Sequence, residues 1–289
     1  MSTQVTQQVT EQVSDLLQQE VLAQVQDKTK RVPVIEIFGP TIQGEGEMIG
    51  TKTLFLRIGG CDYRCTKCDS LHAVMPIAVK ANSTMMTEHE IAQELIILST
   101  KTGTEWVTIS GGNPVMWDLY ELVMDLHSVG IKIAVETQGS IFRPWVAEVD
   151  VLTISPKGPG MVGYKDTEDQ FVSFVEQVLS TDEGSVCIPN LCVKIVAFDQ
   201  QDFEYIVGID TLINHNEWND IFTKYISLGN SRPPTLQGVT LQTEAYGLVS
   251  DLLADYRNLL EDYFLDRRLK EWRFTPQLHC LVWGNKAGV

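Results

Sequence analysis

The sequence predicts an α/β fold in which parallel strands, covered by helices, curl fully or partly into a (βα) barrel. Short β-rich runs alternate with helical segments from Pro33 onward, and Gly and Pro punctuate the junctions. A chain of 289 residues that is 44% hydrophobic can also bury a core of that size, although length alone leaves two small domains open.

VIEIF (34–38) and TLFLRIG (53–59) read as strands, rich in β-branched and aromatic residues. Thr87 with Glu90 makes a capping box, opening a helix that carries Ile91, Leu95 and Leu98 on one face. WVTIS (106–110) is the next strand, Trp117 to Val129 a helix stopped by Gly130, and IKIAVET (131–137) a strand again. VLTIS (151–155), LCVKIVAF (191–198) and YISLG (225–229) continue the series. GPGMVGYKD (158–166) and NSRPPTLQG (230–238) read as long loops. Residues 1–31 contain no Gly or Pro and space Val5, Val9, Val13, Leu16 and Leu17 helically. They read as an N-terminal extension, helical or disordered, ahead of one catalytic domain over 32–289.

A formal net charge of −16 repels phosphate backbones and anionic lipid, so neither nucleic acid nor membrane is an expected partner. The chain has no apolar run of about 18 residues and no basic, apolar signal segment at its start, which predicts a cytoplasmic location. Its six cysteines fall as a cluster, Cys61, Cys65 and Cys68, and a scatter, Cys187, Cys192 and Cys280. That spacing is unlike a disulfide scaffold and, in a reducing compartment, points to metal or catalysis.

The string GGCDYRCTKCDS sets Cys61, Cys65 and Cys68 as CxxxCxxC directly after a predicted strand. Three thiolates from one loop hold three irons of a cubane and leave the fourth open for chemistry. A closed zinc or iron–sulfur site needs a fourth donor, and Asp62, Asp69 and His72 suit that role poorly. Zinc and adventitious core thiols remain the alternatives. The irregular spacing of the other three cysteines reads as buried thiols, not a second cluster.

This motif resembles the radical S-adenosylmethionine (SAM) superfamily. The resemblance implies a [4Fe–4S] cluster on which SAM chelates the open iron and is cleaved by one electron to methionine and a 5′-deoxyadenosyl radical. SGGNP (110–114), ETQG (136–139) and SPK (155–157) follow strands as the superfamily's SAM-contacting segments do. They nominate Gly112, Asn113, Glu136, Ser155, Pro156 and Lys157, joined by Lys67, Cys68 and Asp69 of the cysteine loop. Asn113 departs from the superfamily's frequent Glu, which leaves its backbone as the expected contact.

IEIFGPTIQGEG followed by TLFLRIGGCDYRCTKCDS, with SGGNP, ETQG, LTISPK and the terminal PQLHCLVWGNKAGV, resembles the 7-carboxy-7-deazaguanine synthase family over about residues 33–289. The resemblance implies a ring-contracting lyase that converts 6-carboxy-5,6,7,8-tetrahydropterin to 7-carboxy-7-deazaguanine with loss of ammonia, for queuosine-type 7-deazapurines. It also implies that SAM is reused, that an external donor such as flavodoxin supplies the electron, and that the enzyme is a homodimer. Arg57 can clamp the pterin carboxylate bidentately, and Gln43 and Glu45 can meet its edge atoms. Family similarity adds Ile42, Gly44, Ser110, His279 and the terminal carboxylate of Val289 to the substrate contacts, and Ser70, where the family commonly has Thr, as a hydroxyl ligand to Mg²⁺. A glycyl-radical-enzyme activase is the rival enzyme, since it shares the CxxxCxxC loop but not the TIQGEG, Arg57 and QLH set. A non-enzymatic metal-binding module is the other rival, and it would release no deoxyadenosine.

Overall fold

The structure is a computed structural model that describes residues 30–163, 167–181, 188–230, 242–263 and 266–283. Residues 1–29, Cys187, most of the 230–238 loop and Val289 lie outside the described residues. The strands are β1 (Arg31–Ile42), β2 (Lys52–Ile58), β3 (Thr84–Thr87), β4 (Trp106–Gly111), β5 (Lys132–Thr137), β6 (Val151–Ile154), β7 (Asn190–Ala197), β8 (Phe222–Leu228) and β9 (Arg273–Pro276). They form one nine-stranded sheet in the order β3-β1-β2-β4-β5-β6-β7-β8-β9. From β2 to β9 every neighbouring pair is parallel, whereas β1 runs antiparallel to both β2 and β3. The first departure from an all-parallel series has a simple cause. Only residues 43–51 link β1 to β2, too few for a parallel crossover. The sheet is open, ending at β3 and β9, so the architecture is the partial form of the expected barrel.

Helices cover one face. Glu88–Thr102, Tyr120–Ser128, Thr167–Ser180 and Gln200–His215 bury their apolar stripes against Leu54, Leu56, Ile109, Val135, Leu152 and Val193, all fully shielded from solvent. The capping box is present: Thr87 Oγ1 accepts from Glu90 N at 3.2 Å, and Glu90 Oε2 accepts from Thr87 N at 2.7 Å. The second helix starts three residues later than its pattern suggested, because Pro114–Met116 forms a 3₁₀ turn and the Glu88 carboxylate caps Leu122 N at 2.9 Å. Within the first Gly-rich loop, Pro159–Val162 makes one helical turn. No described helix is long and apolar enough to cross a membrane.

The other face is polar. Alternation along the strands sends Thr53, Thr108, Glu136, Thr153, Lys194 and Tyr225 inward, away from the helices. The turn Gly46–Met48 fills the space they enclose: Gly46 lies against Cys192, Lys194 and Thr153, Met48 packs on Ala134 and Val151, and Tyr225 Oη donates to Glu47 at 3.1 Å. A flat sheet could not touch one short turn from β5, β6, β7 and β8 together, so the strands wrap around it.

Candidate active site

The cysteine loop leaves β2 at Ile58 and is seated on the glycine pair that ends β4. Gly112 N donates to Ile58 O at 3.0 Å and Asn113 N to Gly60 O at 2.7 Å. A Cβ on Gly111 would stand 2.0 Å from Ile58 O, and one on Gly112 2.0 Å from Gly60 O and 2.9 Å from Cys61 Cβ. Gly111 also has φ +147°, which L side chains rarely adopt. The glycines of SGGNP therefore serve first to let two backbones meet behind Cys61.

Asn113 completes that joint. Fully buried, it donates to Asp62 Oδ1 at 2.9 Å and to Ser140 Oγ at 3.3 Å, and its Oδ1 accepts from Thr137 Oγ1 at 2.9 Å and Val115 N at 3.3 Å. With the side chain and the backbone N–H both taken up, the backbone carbonyl, which accepts from Met116 N at 3.2 Å and has a second lone pair, is what Asn113 offers a ligand. Gln138 reinforces the loop, donating to Asp62 Oδ1 at 2.7 Å and toward Cys61 Sγ at 3.6 Å. Thr66 N donates to Met161 O at 3.0 Å, and Lys67 pairs with exposed Asp199 at 2.9 Å while lying over the Phe198 ring.

Burial raises the pKa of Cys61 and Cys65 above the ordinary thiol value. It pushes Cys68 up to about 12 with help from Asp69. Lys157, which donates to Ser155 Oγ at 2.7 Å, opposes the rise at all three. The three thiols thus share one electrostatic neighbourhood, and binding iron must displace their protons. Among the described residues no three Cys, His, Asp or Glu side chains close on a point fit for a single ion.

Beside the loop, Arg57 Nε donates to Glu36 Oε1 at 2.6 Å and Nη1 approaches Ser70 Oγ at 3.5 Å. Burial favours the neutral form of Glu36, but His72 and Arg57 outweigh it and hold the carboxyl below its ordinary value. Ser70 Oγ donates to Asp69 Oδ1 at 2.9 Å. Arg57 keeps one edge of its guanidinium clear of Glu36, and Ser110 stands opposite it in the β2–β4 register.

Across the inner face lies an ionic cradle that the sequence did not disclose as a unit. Lys194 Nζ is 2.9 Å from Glu45 Oε2 and 3.6 Å from Glu136 Oε1, with 5% of its side chain exposed. Gln277 Nε2 donates to Glu45 Oε1 at 3.1 Å and Gln43 Nε2 to Glu136 Oε1 at 3.1 Å. His279 belongs to the same group: a Cβ on Gly44 would lie 2.2 Å from its Nδ1, and Leu278 N donates to Gly44 O at 3.0 Å. Burial would raise the pKa of Glu45, yet Lys194, then His279, and hydrogen bonds from Lys194 and Gln277 bring it down to about 2. Asp69 also acts on Lys194, so cradle and cysteine loop share one space. Of the expected residues, Gln43, Gly44, Glu45, Glu136 and His279 meet here. Lys194 and Gln277 are additional; the only hint of Lys194 was a lysine inside the apolar run LCVKIVAF.

No family model matches the chain. The 7-carboxy-7-deazaguanine synthase of Bacillus cereus is 35% identical over 260 residues, covering 90% of this chain and 99% of that protein. That of Bacillus subtilis is 35% identical over 261 residues with the same coverage. The chain belongs to the 7-carboxy-7-deazaguanine synthase family. The crystal structure of QueE from Escherichia coli, 19% identical, superposes with a TM-score of 0.54 over 88% of this chain and 96% of that one, which shows the shared fold. Membership in the 7-carboxy-7-deazaguanine synthase family makes this a radical SAM enzyme, with a [4Fe–4S] cluster and SAM as the implied cofactors.

The residues fit those groups. A cubane is gripped at three corners and is wider than one ion, which suits three neighbouring thiols on a loop backed by Asn113, Asp62 and Gln138. Cys192 and Cys280 sit apart from them, buried and raised by that burial to about 11 and about 12, as plain core thiols are.

Proposed function

We propose that this chain converts 6-carboxy-5,6,7,8-tetrahydropterin to 7-carboxy-7-deazaguanine with release of ammonia, feeding 7-deazapurine synthesis of the queuosine type. The observation that carries the reading is the convergence of Gln43, Glu45, Glu136, Gln277 and His279 from three separate segments into one cradle beside the cysteine loop. An activase of a protein radical has no use for such a set.

Cys61, Cys65 and Cys68 would hold the cluster, which together with SAM supplies a 5′-deoxyadenosyl radical. Backbone groups of Lys67, Cys68, Asp69, Gly112 and Asn113, with Glu136, Ser155, Pro156 and Lys157, would orient SAM over it. Ionised Glu45 can only accept hydrogen bonds, which suits the amine and ring N–H edge of a pterin. Gln43, with Ile42 and Gly44 beside it, His279 and Ser110 would line the rest. Arg57 would take the carboxylate with the edge that Glu36 leaves clear. Ser70 Oγ, substrate oxygens and water would hold Mg²⁺. An external donor such as flavodoxin would deliver the electron to a homodimer in the cytoplasm.

The test supplies carboxytetrahydropterin, SAM, Mg²⁺ and a reductant under nitrogen and identifies the product by mass. Formation of 7-carboxy-7-deazaguanine with SAM not consumed in proportion supports the reading. Deoxyadenosine release without a pterin product overturns it.

A further inference from the structure

We propose that Lys194 is a positioning residue for the reaction, a buried cation that aligns Glu45 toward the pterin and Glu136 toward SAM and so couples the two ligand sites. The inference rests on the pterin reading above and goes beyond it, because Lys194 is not among the residues that the family motifs nominate.

The geometry is that of a hub. Glu45 comes from the turn after β1, Glu136 from the end of β5 and Lys194 from the middle of β7, so one ammonium ties three segments remote in sequence. Each carboxylate uses a second neutral partner, Gln277 for Glu45 and Gln43 for Glu136, and these amides are anchored in turn. Gln43 Oε1 accepts from Gly44 N at 2.6 Å, and Gln277 Oε1 from Asn230 N at 2.6 Å. The carboxylates therefore have their directions set before any ligand arrives.

Acceptor capacity points the same way. Lys194 and Glu45 are nearly shut off from solvent, and the two carboxylates have acceptor lone pairs beyond those that Lys194, Gln277 and Gln43 use. Spare acceptors in a dry pocket are answered by ligand donors, which the amine and N–H edge of a reduced pterin and the amino group of SAM both provide. Glu136 retains 20% exposure and Glu45 10%, so the more open carboxylate is the one assigned to SAM.

The experiment compares wild type, K194R, K194M and K194M/E45Q, each with reconstituted cluster, by calorimetric binding of pterin and of SAM, by steady-state kinetics and by the ratio of deoxyadenosine to product. K194M should weaken pterin binding by about 30-fold or more, the size seen when one partner of a buried charge pair is removed. It should also raise the deoxyadenosine-to-product ratio, since SAM cleavage loses its coupling to a placed substrate. K194R should recover part of both. K194M/E45Q removes the stranded carboxylate and should melt closer to wild type, yet bind pterin no better than K194M. If K194M binds both ligands as wild type does and keeps the product ratio, or if K194M/E45Q regains pterin affinity together with stability, Lys194 is merely structural and the inference is overturned. A wild-type enzyme that turns over no pterin defeats the proposed function instead, and the two failures are thereby told apart.

Discussion

Lys194 on β7 and Lys224 on β8 are neighbours in the sheet, both buried and both paired with two carboxylates, yet they face opposite layers. Lys224 aligns with Val193, not with Lys194, so alternation turns it outward. There it meets Asp210 Oδ1 at 2.9 Å, Asn219 Oδ1 at 2.7 Å and Glu271 Oε2 at 3.1 Å, and Trp272 Nε1 also donates to Asp210 Oδ1 at 2.9 Å. That cluster binds the strand to its covering helix. Lys194 instead joins Glu45 and Glu136 across the inner face. Residue type and burial are the same, so in a half-barrel it is the parity of a position along its strand that separates chemistry from scaffolding.

The sharpest way to break this contrast is to remove Lys224. Lys224→Met should destabilise the fold by about 3 kcal/mol, because Asp210 loses its cation while buried. Melting should fall by several degrees, with the KM for pterin in the folded protein unchanged. A several-fold rise in that KM would mean that the outer layer is not mere scaffolding.

Next in size is the joint behind Cys61. Gly112→Ala places a methyl group 2.0 Å from Gly60 O, so the cysteine loop must move. The expected cost is about 2 kcal/mol, and the protein should bind less iron than wild type after identical reconstitution. Gly50→Ala is a useful control, since a Cβ there meets nothing within 4 Å and its φ of +83° strains only the turn. It should keep its iron.

A third test follows from the sign of the shift at Glu45. Burial opposes ionisation, but Lys194 and His279 prevail and hold the pKa near about 2 against an ordinary 4.5. A depressed carboxyl stabilises the fold fully above pH 4.5, and that contribution drains away as pH falls from 4.5 toward about 2. By pH 3 wild type should have lost roughly 1–2 kcal/mol through this group. Urea melts at pH 7, 4 and 3 should therefore converge for wild type and Glu45→Gln, and parallel curves would refute the assignment.

The same parity explains what was legible in the sequence. WVTIS, KIAVET and VLTIS alternate apolar with Thr, Ser or Glu, and each formed a strand with its apolar side against helices. β3 and β9 escaped notice because four residues, TMMT and RFTP, carry too little pattern, and edge strands need no continuous apolar face. The cysteine loop was legible because its donors are adjacent in sequence. The cradle was not: Lys194 meets Glu45 across 149 residues and Gln277 meets Glu45 across 232. Asn113 illustrates the middle case. Its place at the site could be read, but the partners that occupy its side chain, Asp62 and Thr137, lie 51 and 24 positions away.

The smallest effect tests the outer layer at its rim. Thr87 caps the helix Glu88–Thr102, whose Ile91 and Leu95 pack on the outward face of the sheet, far in kind from the polar interior. Thr87→Ala removes the acceptor for Glu90 N while leaving Glu90 free to bond Thr87 N, so half of the capping box survives. The loss should be about 1 kcal/mol, read as a melting shift of a few degrees. Because the helix touches only the outer face, pterin KM, SAM affinity and iron content should all match wild type. A change in any of the three would mean that strain at the rim crosses the sheet, and that the division between a stabilising face and a reactive one is less strict than the two lysines suggest.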